Sequence, residues 1–253
     1  MFIPLAPLKD EFAGRRVLVT GGSRGIGAAT AQRLIDGGAE VVTAGRTKSD
    51  ETPSASTFVS GDVRTVAGAQ QIVGHALEAL GGLDILVNNA GAIQVHVGGS
   101  RAIPDEEWED SLAINFLSAV RVTNAALPAL QRSERGAIVN VATNSYRNPP
   151  AAGLHYGAAK AALVSYSKGL AGQLAPAGIR VNTVTPGSVD TTGGTKVLQE
   201  MVDAMGATID QLTSTIPLGR RGDPRDLAEL ITFLVSDRAQ WITGANYDID
   251  GGA

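Results

Sequence analysis

A short run rich in β-branched residues, Arg15-Arg16-Val17-Leu18-Val19-Thr20, stops at Gly21-Gly22-Ser23-Arg24-Gly25-Ile26-Gly27, and Ala28 to Leu34 follow with helical character. Strand, glycine turn and helix in that order constrain the chain more than any other feature. A helix N-terminus presents unpaired N–H groups and the positive end of its dipole, and glycines let phosphate approach the backbone closely. A dinucleotide pyrophosphate fits such a turn; the alternative is a turn used only to pack helix on sheet. The spacing Gly-x-x-x-Gly-x-Gly is not that of a nucleoside triphosphatase loop, because Ala28 stands where that loop needs lysine.

Strand and helix continue to alternate. Glu40 to Ala44, Thr57 to Ser60, Asp84 to Val87, Gly136 to Ala142, Ile179 to Val184 and Tyr247 to Ile249 read as strands, with helical periodicity at Val66 to Leu80, Asp105 to Leu130 (broken at Pro128), Tyr156 to about Leu174, and Pro224 to Leu234. Crossovers of that length require parallel pairing. The expected fold is one α/β domain over 1–253, a doubly wound parallel sheet of Rossmann type in three layers, with 1–14 as a loose leader. Residues 188–215, rich in glycine and threonine with an apolar-periodic piece from Lys196 to Met205, are expected to form a lid over the substrate.

The second strand ends in Gly45-Arg46-Thr47, at about the ~20-residue distance where such folds read the adenosine ribose. An acidic residue there would accept from a 2′-hydroxyl, whereas an arginine pairs with a 2′-phosphate. Arg46, with Arg24 as a second cation, therefore points to NADP(H) in preference to NAD(H); the alternative is two solvated arginines. Asp50 and Glu51 lie in a polar loop and compete poorly for that role.

Composition narrows the class of function. A formal net charge of -4 and no basic run argue against nucleic acid as a partner, and no cysteine means no thiolate metal site or thiol nucleophile. No metal site is read from the sequence. No window reaches the ~20 apolar residues of a membrane span, and Met1 to Arg16 does not read as a signal peptide, so the expectation is a cytoplasmic protein without a membrane partner.

Tyr156 and Lys160 stand four residues apart on one helix face. At an effective dielectric of about 20 and roughly 4 to 5 Å, the lysine charge favours the phenolate by about 3 to 4 kcal/mol, so the expected phenol pKa is lowered, although burial acts the other way. Such a tyrosine can act as a general acid or base.

Thr20-Gly21-x-x-x-Gly25-Ile26-Gly27, Asn88-Asn89-Ala90-Gly91, Asn115, Tyr156-x-x-x-Lys160, Pro186-Gly187 and the ending Asp250-Gly251-Gly252 follow one another over almost the whole chain. Together they resemble the short, single-domain branch of the short-chain dehydrogenase/reductase family. The resemblance implies a nicotinamide cofactor on Gly21, Ser23, Arg24, Gly25, Ile26 and Gly27. Asp62 and Val63 would lie near the adenine, Asn89, Ala90 and Gly91 beside the cofactor, and Pro186, Gly187 and Val189 around the nicotinamide. It also implies a relay in which Tyr156 is the acid or base, Lys160 lowers its pKa and holds the nicotinamide ribose, and Asn115 anchors a water line toward the lysine.

In place of the family's serine that holds the substrate oxygen, this chain has Thr143, which keeps the hydroxyl but adds a methyl. Ser145, two residues further, is expected to point elsewhere. The expected activity is interconversion of a carbonyl and a secondary alcohol on a small molecule by an NADP(H)-dependent homo-oligomer, a tetramer or dimer. The alternative is a nicotinamide-nucleotide-binding regulator or scaffold without chemistry; a nucleotide-sugar epimerase or dehydratase would need a larger C-terminal region.

For the substrate, Ile93, Val95, Val97, Val189, Val197, Leu198 and Met201 suggest a mostly apolar pocket, unless they pack in the core or an oligomer. His96, Arg147, His155 and Lys196 are candidates to meet a substrate anion or, as isolated basic side chains near a cleft, to be solvated.

Overall fold

The computed structural model describes residues 10–253. Seven parallel strands form one sheet in the order β3-β2-β1-β4-β5-β6-β7. They are β1 Arg16–Thr20, β2 Glu40–Gly45, β3 Thr57–Ser60, β4 Ile85–Asn88, β5 Ala137–Val141, β6 Arg180–Pro186 and β7 Asn246–Ile249. The helices are α1 Gly25–Asp36, α2 Val66–Leu80, α3 Asp105–Leu112, α4 Ser118–Leu130, α5 Leu154–Leu174, α6 Thr192–Met205, α7 Ile209–Ser214 and α8 Pro224–Val235. The doubly wound Rossmann architecture read from the alternation is therefore the observed one.

Because successive strand residues face opposite sides, each central strand supplies two cores. Leu18, Val42, Leu86 and Ile138 pack with residues of α2, α4 and α5. Their neighbours Val17, Val19, Val41, Ile85, Val87 and Val139 pack with residues of α1 and α8. With both faces covered, the strands read as nearly continuous apolar runs. A buried polar chain crosses the first of these layers: Asn88 Nδ2 donates to Thr123 Oγ1 and to Asn140 Oδ1, and Asn140 Nδ2 donates to Ser167 Oγ. The amide nitrogens of both asparagines are thereby given partners by neighbouring elements, while Asn88 Oδ1 has none among the described residues.

From β1 the chain winds outward to β2 and β3, then returns to place β4 on β1's other side, with Thr20 paired to Asn88 in register. At that reversal the connections leaving β1 and β4 diverge, which opens a crevice at the carboxyl ends of the strands.

The structure differs from the sequence reading in three places. Residues 1–9 of the expected loose leader lie outside the described residues, but 10–14 are anchored. Phe12 is fully buried, its N–H donates to Gly37 O, and Glu11 pairs with Arg33 and Arg238. The helix expected to break at Pro128 runs on to Leu130, and its irregularity lies instead at a π turn, Ala113–Leu117, between α3 and α4. Within 188–215 the chain forms two helices, α6 and α7, capped by Thr191 and Thr208.

One ion pair fixes the lower edge of the sheet. The Asp84 carboxylate accepts from Arg16 at Nε and Nη2, from the Arg16 backbone N–H and from Ser133 Oγ, at 2.7 to 3.0 Å. Burial alone would raise its pKa, but these donors outweigh burial and hold it at about 2. Because the folded-state value lies below the unfolded one, this stability is present above about pH 4 and is lost as pH falls through about 2. Asp84→Asn is expected to lower unfolding free energy at neutral pH by roughly 2 kcal/mol, with the gap to wild type closing in acid. Urea titrations of the two proteins at several pH values test this; a gap independent of pH would refute it.

Candidate active site

The floor of the crevice is set by close backbone approach. Gly21 has φ 64° and Gly25 φ 55°. A Cβ on Gly21 would come within 2.9 Å of Ala90 Cα, and one on Gly27 within 2.3 Å of the Gly21 carbonyl and 2.5 Å of Asn89 Nδ2. Asn89 Nδ2 donates to the carbonyls of Thr20 and Gly21, and Thr20 Oγ1 accepts from the N–H groups of Asn89 and Ala90. The ends of β1 and β4 are thereby stitched into one platform.

The side chain of Arg24, the residue before α1, does not cap the helix. Instead the Gly25 N–H donates to the Glu51 carboxylate at 2.7 Å, whose second oxygen accepts from Thr192 Oγ1 at 3.1 Å. A carboxylate at this helix N-terminus stands in for an anionic ligand, and with the glycine cradle it shows that the residues present suit a pyrophosphate. Sequence reasoning missed Glu51 in this position, since nothing in its local spacing shows that the loop after β2 folds back over the turn.

A cleft of about 740 Å³ extends from this platform. Gly21, Ser23, Arg24, Gly25, Ile26, Arg46, Asp62 and Val63 line one end. Asn89, Ala90, Gly91, Thr143, Tyr156, Lys160, Pro186, Gly187 and Val189 line the remainder. Gly27 is not in the wall; it seats α1 against Gly21 and Asn89. Arg24 and Arg46 are exposed, and neither guanidinium has a partner among the described residues. Gly187 is required because a Cβ there would meet Asp250 Cβ at 2.6 Å, which ties the Pro-Gly pair to the C-terminal motif.

At the other end, α5 carries Tyr156 and Lys160 toward the end of β5. Lys160 is 3% exposed, and its Nζ donates to Val141 O at 2.7 Å. Burial pushes its pKa down to about 8. Burial also pushes the Tyr156 phenol above its ordinary value, opposed in part by hydrogen bonding from Thr143. The expected lowering of the phenol by Lys160 is therefore not what the structure shows. Desolvation penalises the phenolate and also weakens the lysine's own charge.

Thr143 is buried and extended at the end of β5, and its hydroxyl also accepts from the Ser145 N–H. Ser145 lines the cleft too, but hydrogen bonding from its side chain does not bear on the phenol. Asn115 lies in the π turn and stands behind the cleft wall. Its Oδ1 accepts from Ala92 N–H and its Nδ2 donates to Ala92 O and Ser111 Oγ. A Cβ on Gly91 would sit 3.0 Å from Asn115 Oδ1 and 3.4 Å from Lys160 Nζ, so the glycine lets both groups approach the backbone there.

Of the apolar candidates, Ile93, Val189, Val197, Leu198 and Met201 line the cleft, whereas Val95 and Val97 do not, Val97 being 67% exposed. Of the four basic candidates for an anion, Arg147 is held by both oxygens of Asp248 and by the Tyr146 hydroxyl. Lys196 is exposed. His155 is buried rather than solvated, lies against His96 and Trp108, and its pKa is pushed down by burial.

Residues 21–253 match the family model described as Enoyl-(Acyl carrier protein) reductase. The chain is 35% identical to the 2,5-dichloro-2,5-cyclohexadiene-1,4-diol dehydrogenase LinX of Sphingobium indicum, over 97% of this chain and 98% of that one. It is 34% identical to the 3-oxoacyl-[acyl-carrier-protein] reductase FabG of Vibrio cholerae, over 94% and 97% of the two chains. Among solved structures it superposes on a Serratia marcescens short-chain dehydrogenase/reductase with a TM-score of 0.84, at 32% identity and with 96% and 98% of the chains covered. With the same fold and relatedness over nearly its full length, the chain belongs to the short-chain dehydrogenase/reductase family of oxidoreductases.

Proposed function

We propose that the protein interconverts a carbonyl and a secondary alcohol with NADP(H), Tyr156 serving as general acid or base. The observation that carries this reading is the phenol of Tyr156 in the cleft wall, with Thr143 placed to favour its phenolate and the buried Lys160 one helical turn away. Gly21, Ser23, Gly25, Ile26 and Asn89 to Gly91 would hold the dinucleotide, with Arg24 and Arg46 at its 2′-phosphate. When bound, the nicotinamide gives up or accepts the hydride.

The chain's own residues manage the oxygen and its proton. A phenol is protonated at neutral pH and burial makes it harder still to ionise, so in the reducing direction Tyr156 O–H protonates the oxygen of the carbonyl as it becomes an alkoxide. Thr143 Oγ1 donates to the same oxygen and fixes its position. Lys160 supplies positive charge near the resulting phenolate, and Asn115 holds the backbone at Ala92 beside it. The apolar wall of Ile93, Val197, Leu198 and Met201 favours a ketone with hydrocarbon on at least one side. The names of LinX and FabG, a cyclic diol dehydrogenase and a 3-oxoacyl reductase, support a substrate of this oxidation level. We further propose that 188–215 closes over the substrate, with Thr192 as its contact to the cofactor end.

The first expectation concerns the cofactor. Charge-assisted hydrogen bonds from Arg46 and Arg24 should favour NADPH over NADH by about ten- to a hundredfold in affinity, and Arg46→Asp should reverse the order. Equal wild-type affinities in a fluorescence titration would count against it.

The second concerns the oxygen-holding groups. Tyr156→Phe should lose about 10² to 10⁴ in turnover with cofactor binding nearly unchanged. Thr143→Val should lose about 10² to 10³, Thr143→Ser should stay active, and Ser145→Ala should change little. A crippled Ser145→Ala beside a healthy Thr143→Val, in steady-state assays with a ketone panel, would move the assignment to Ser145.

The third concerns Lys160, whose folded-state pKa of about 8 lies below its ordinary 10.5. Here the unfolded chain binds more protons between those values, so this group's contribution to stability rises with pH through that window. Lys160→Met, expected to lack turnover, should therefore lose stability relative to wild type between about pH 8 and 10.5, by on the order of 3 kcal/mol. Parallel stability curves for the two proteins would contradict it.

A further inference from the structure

Away from the cleft wall, three side chains from three separate segments converge. His96 comes from the loop after β4, Glu107 from the first turn of α3 and His155 from the start of α5. One candidate ligand atom of each lies within 4.8 Å of the others. His155 is 1% exposed and neither of its ring nitrogens has a hydrogen-bond partner; Nε2 of His96 is likewise buried and unpartnered. The two imidazoles meet edge to face at 5.5 Å, and Trp108 closes the far side of His155 at 6.1 Å. Glu107 Oε1 stands 3.7 Å from His155 Nε2, beyond hydrogen-bond length.

Buried polar atoms are nearly always partnered, so three bare imidazole nitrogens at one place require a physical account. One proton does not provide it. Adding it to His155 creates a cation that Glu107 can meet at one nitrogen only, and His96 Nε2 is still left without a partner. A divalent cation takes one lone pair from each imidazole and one from the carboxylate at once, which partners both rings and leaves a single N–H of His155 over. Two nitrogens and one carboxylate, with no thiolate, form a donor set for first-row transition ions, zinc foremost, whereas magnesium and calcium favour oxygen donors.

We propose that His96, Glu107 and His155 bind one divalent first-row transition ion, of the zinc type, that ties the loop after β4 and α3 to the N-terminus of α5. Tetrahedral zinc with bonds of about 2.0 to 2.1 Å separates its donors by about 3.3 Å, so contraction by about an ångström or more completes the set. The loop carrying His96 is already pinned next to α5 by the bond from His96 N–H to Ala152 O at 3.0 Å. None of the three ligands lines the cleft, so the ion holds the helix that presents Tyr156 and does not touch the substrate. Sequence reading found no such set because the three residues share no motif spacing and meet only through the fold.

The test uses untagged full-length protein, stripped with chelator and titrated with zinc chloride and, in parallel, cobalt chloride. The expected result is one zinc per chain, a rise in melting temperature on loading, and visible cobalt bands of tetrahedral coordination. His96→Ala removes a loop side chain and leaves the backbone of α5 untouched, and it should weaken zinc binding about 100-fold or more, since loss of a ligand exceeds loss of its supporting groups. Glu107→Gln should weaken it in the same direction. Failure of the wild type to bind zinc at micromolar free concentration, or unchanged affinity in His96→Ala, would overturn the site.

Discussion

At Gly27 the polypeptide has room for hydrogen and nothing larger, and most of what the molecule can do depends on that contact. It brings α1 down onto the end of β1, where Asn89 donates to the carbonyls of Thr20 and Gly21 and Thr20 accepts from the N–H groups of Asn89 and Ala90. The first and fourth strands are then joined at the one edge of the sheet where their connections part company. The platform is rigid because its backbone polar groups pair across the strands and not with solvent. The cleft takes its shape from that floor.

The opposite wall works against stability. Lys160 is buried with a single backbone carbonyl as its described partner, and burial drives its pKa toward neutrality. A well-packed apolar residue would suit the folded chain better, which is the usual sign that a buried charge is kept for another purpose. Burial also pushes the Tyr156 phenol above its ordinary value. Environment, not the spacing of the two residues, sets the direction of that shift.

How much of this was legible in the sequence follows from the range of the forces involved. The β3 and α2 boundaries coincide with those read from periodicity and breakers, because Thr57 and Thr65 begin their elements and Gly61 and Gly81 follow them. The residues of the cleft were legible because glycine and asparagine at fixed spacing leave a record along the chain. Three things were not. Glu51 reaches Gly25 only because its loop folds back, the π turn at Asn115 looks like helix to any periodicity, and the direction of the Tyr156 pKa depends on how much water is removed around it. The partner of Arg147 was not legible for a similar reason, since Asp248 is far away in sequence and reaches it only through the fold.

The carboxylate of Glu51 on the Gly25 N–H makes the resting protein its own competitor. Any phosphate that takes that N–H must first evict a tethered anion, so the affinity it shows is an exchange constant and not the intrinsic strength of the helix terminus. The same eviction breaks the Glu51 contact to Thr192, which couples departure of the internal ligand to release of α6 at its first residue. Removing the internal competitor tightens the grip on phosphate and at the same time unties that helix, so a single carboxylate sets two properties in opposite directions.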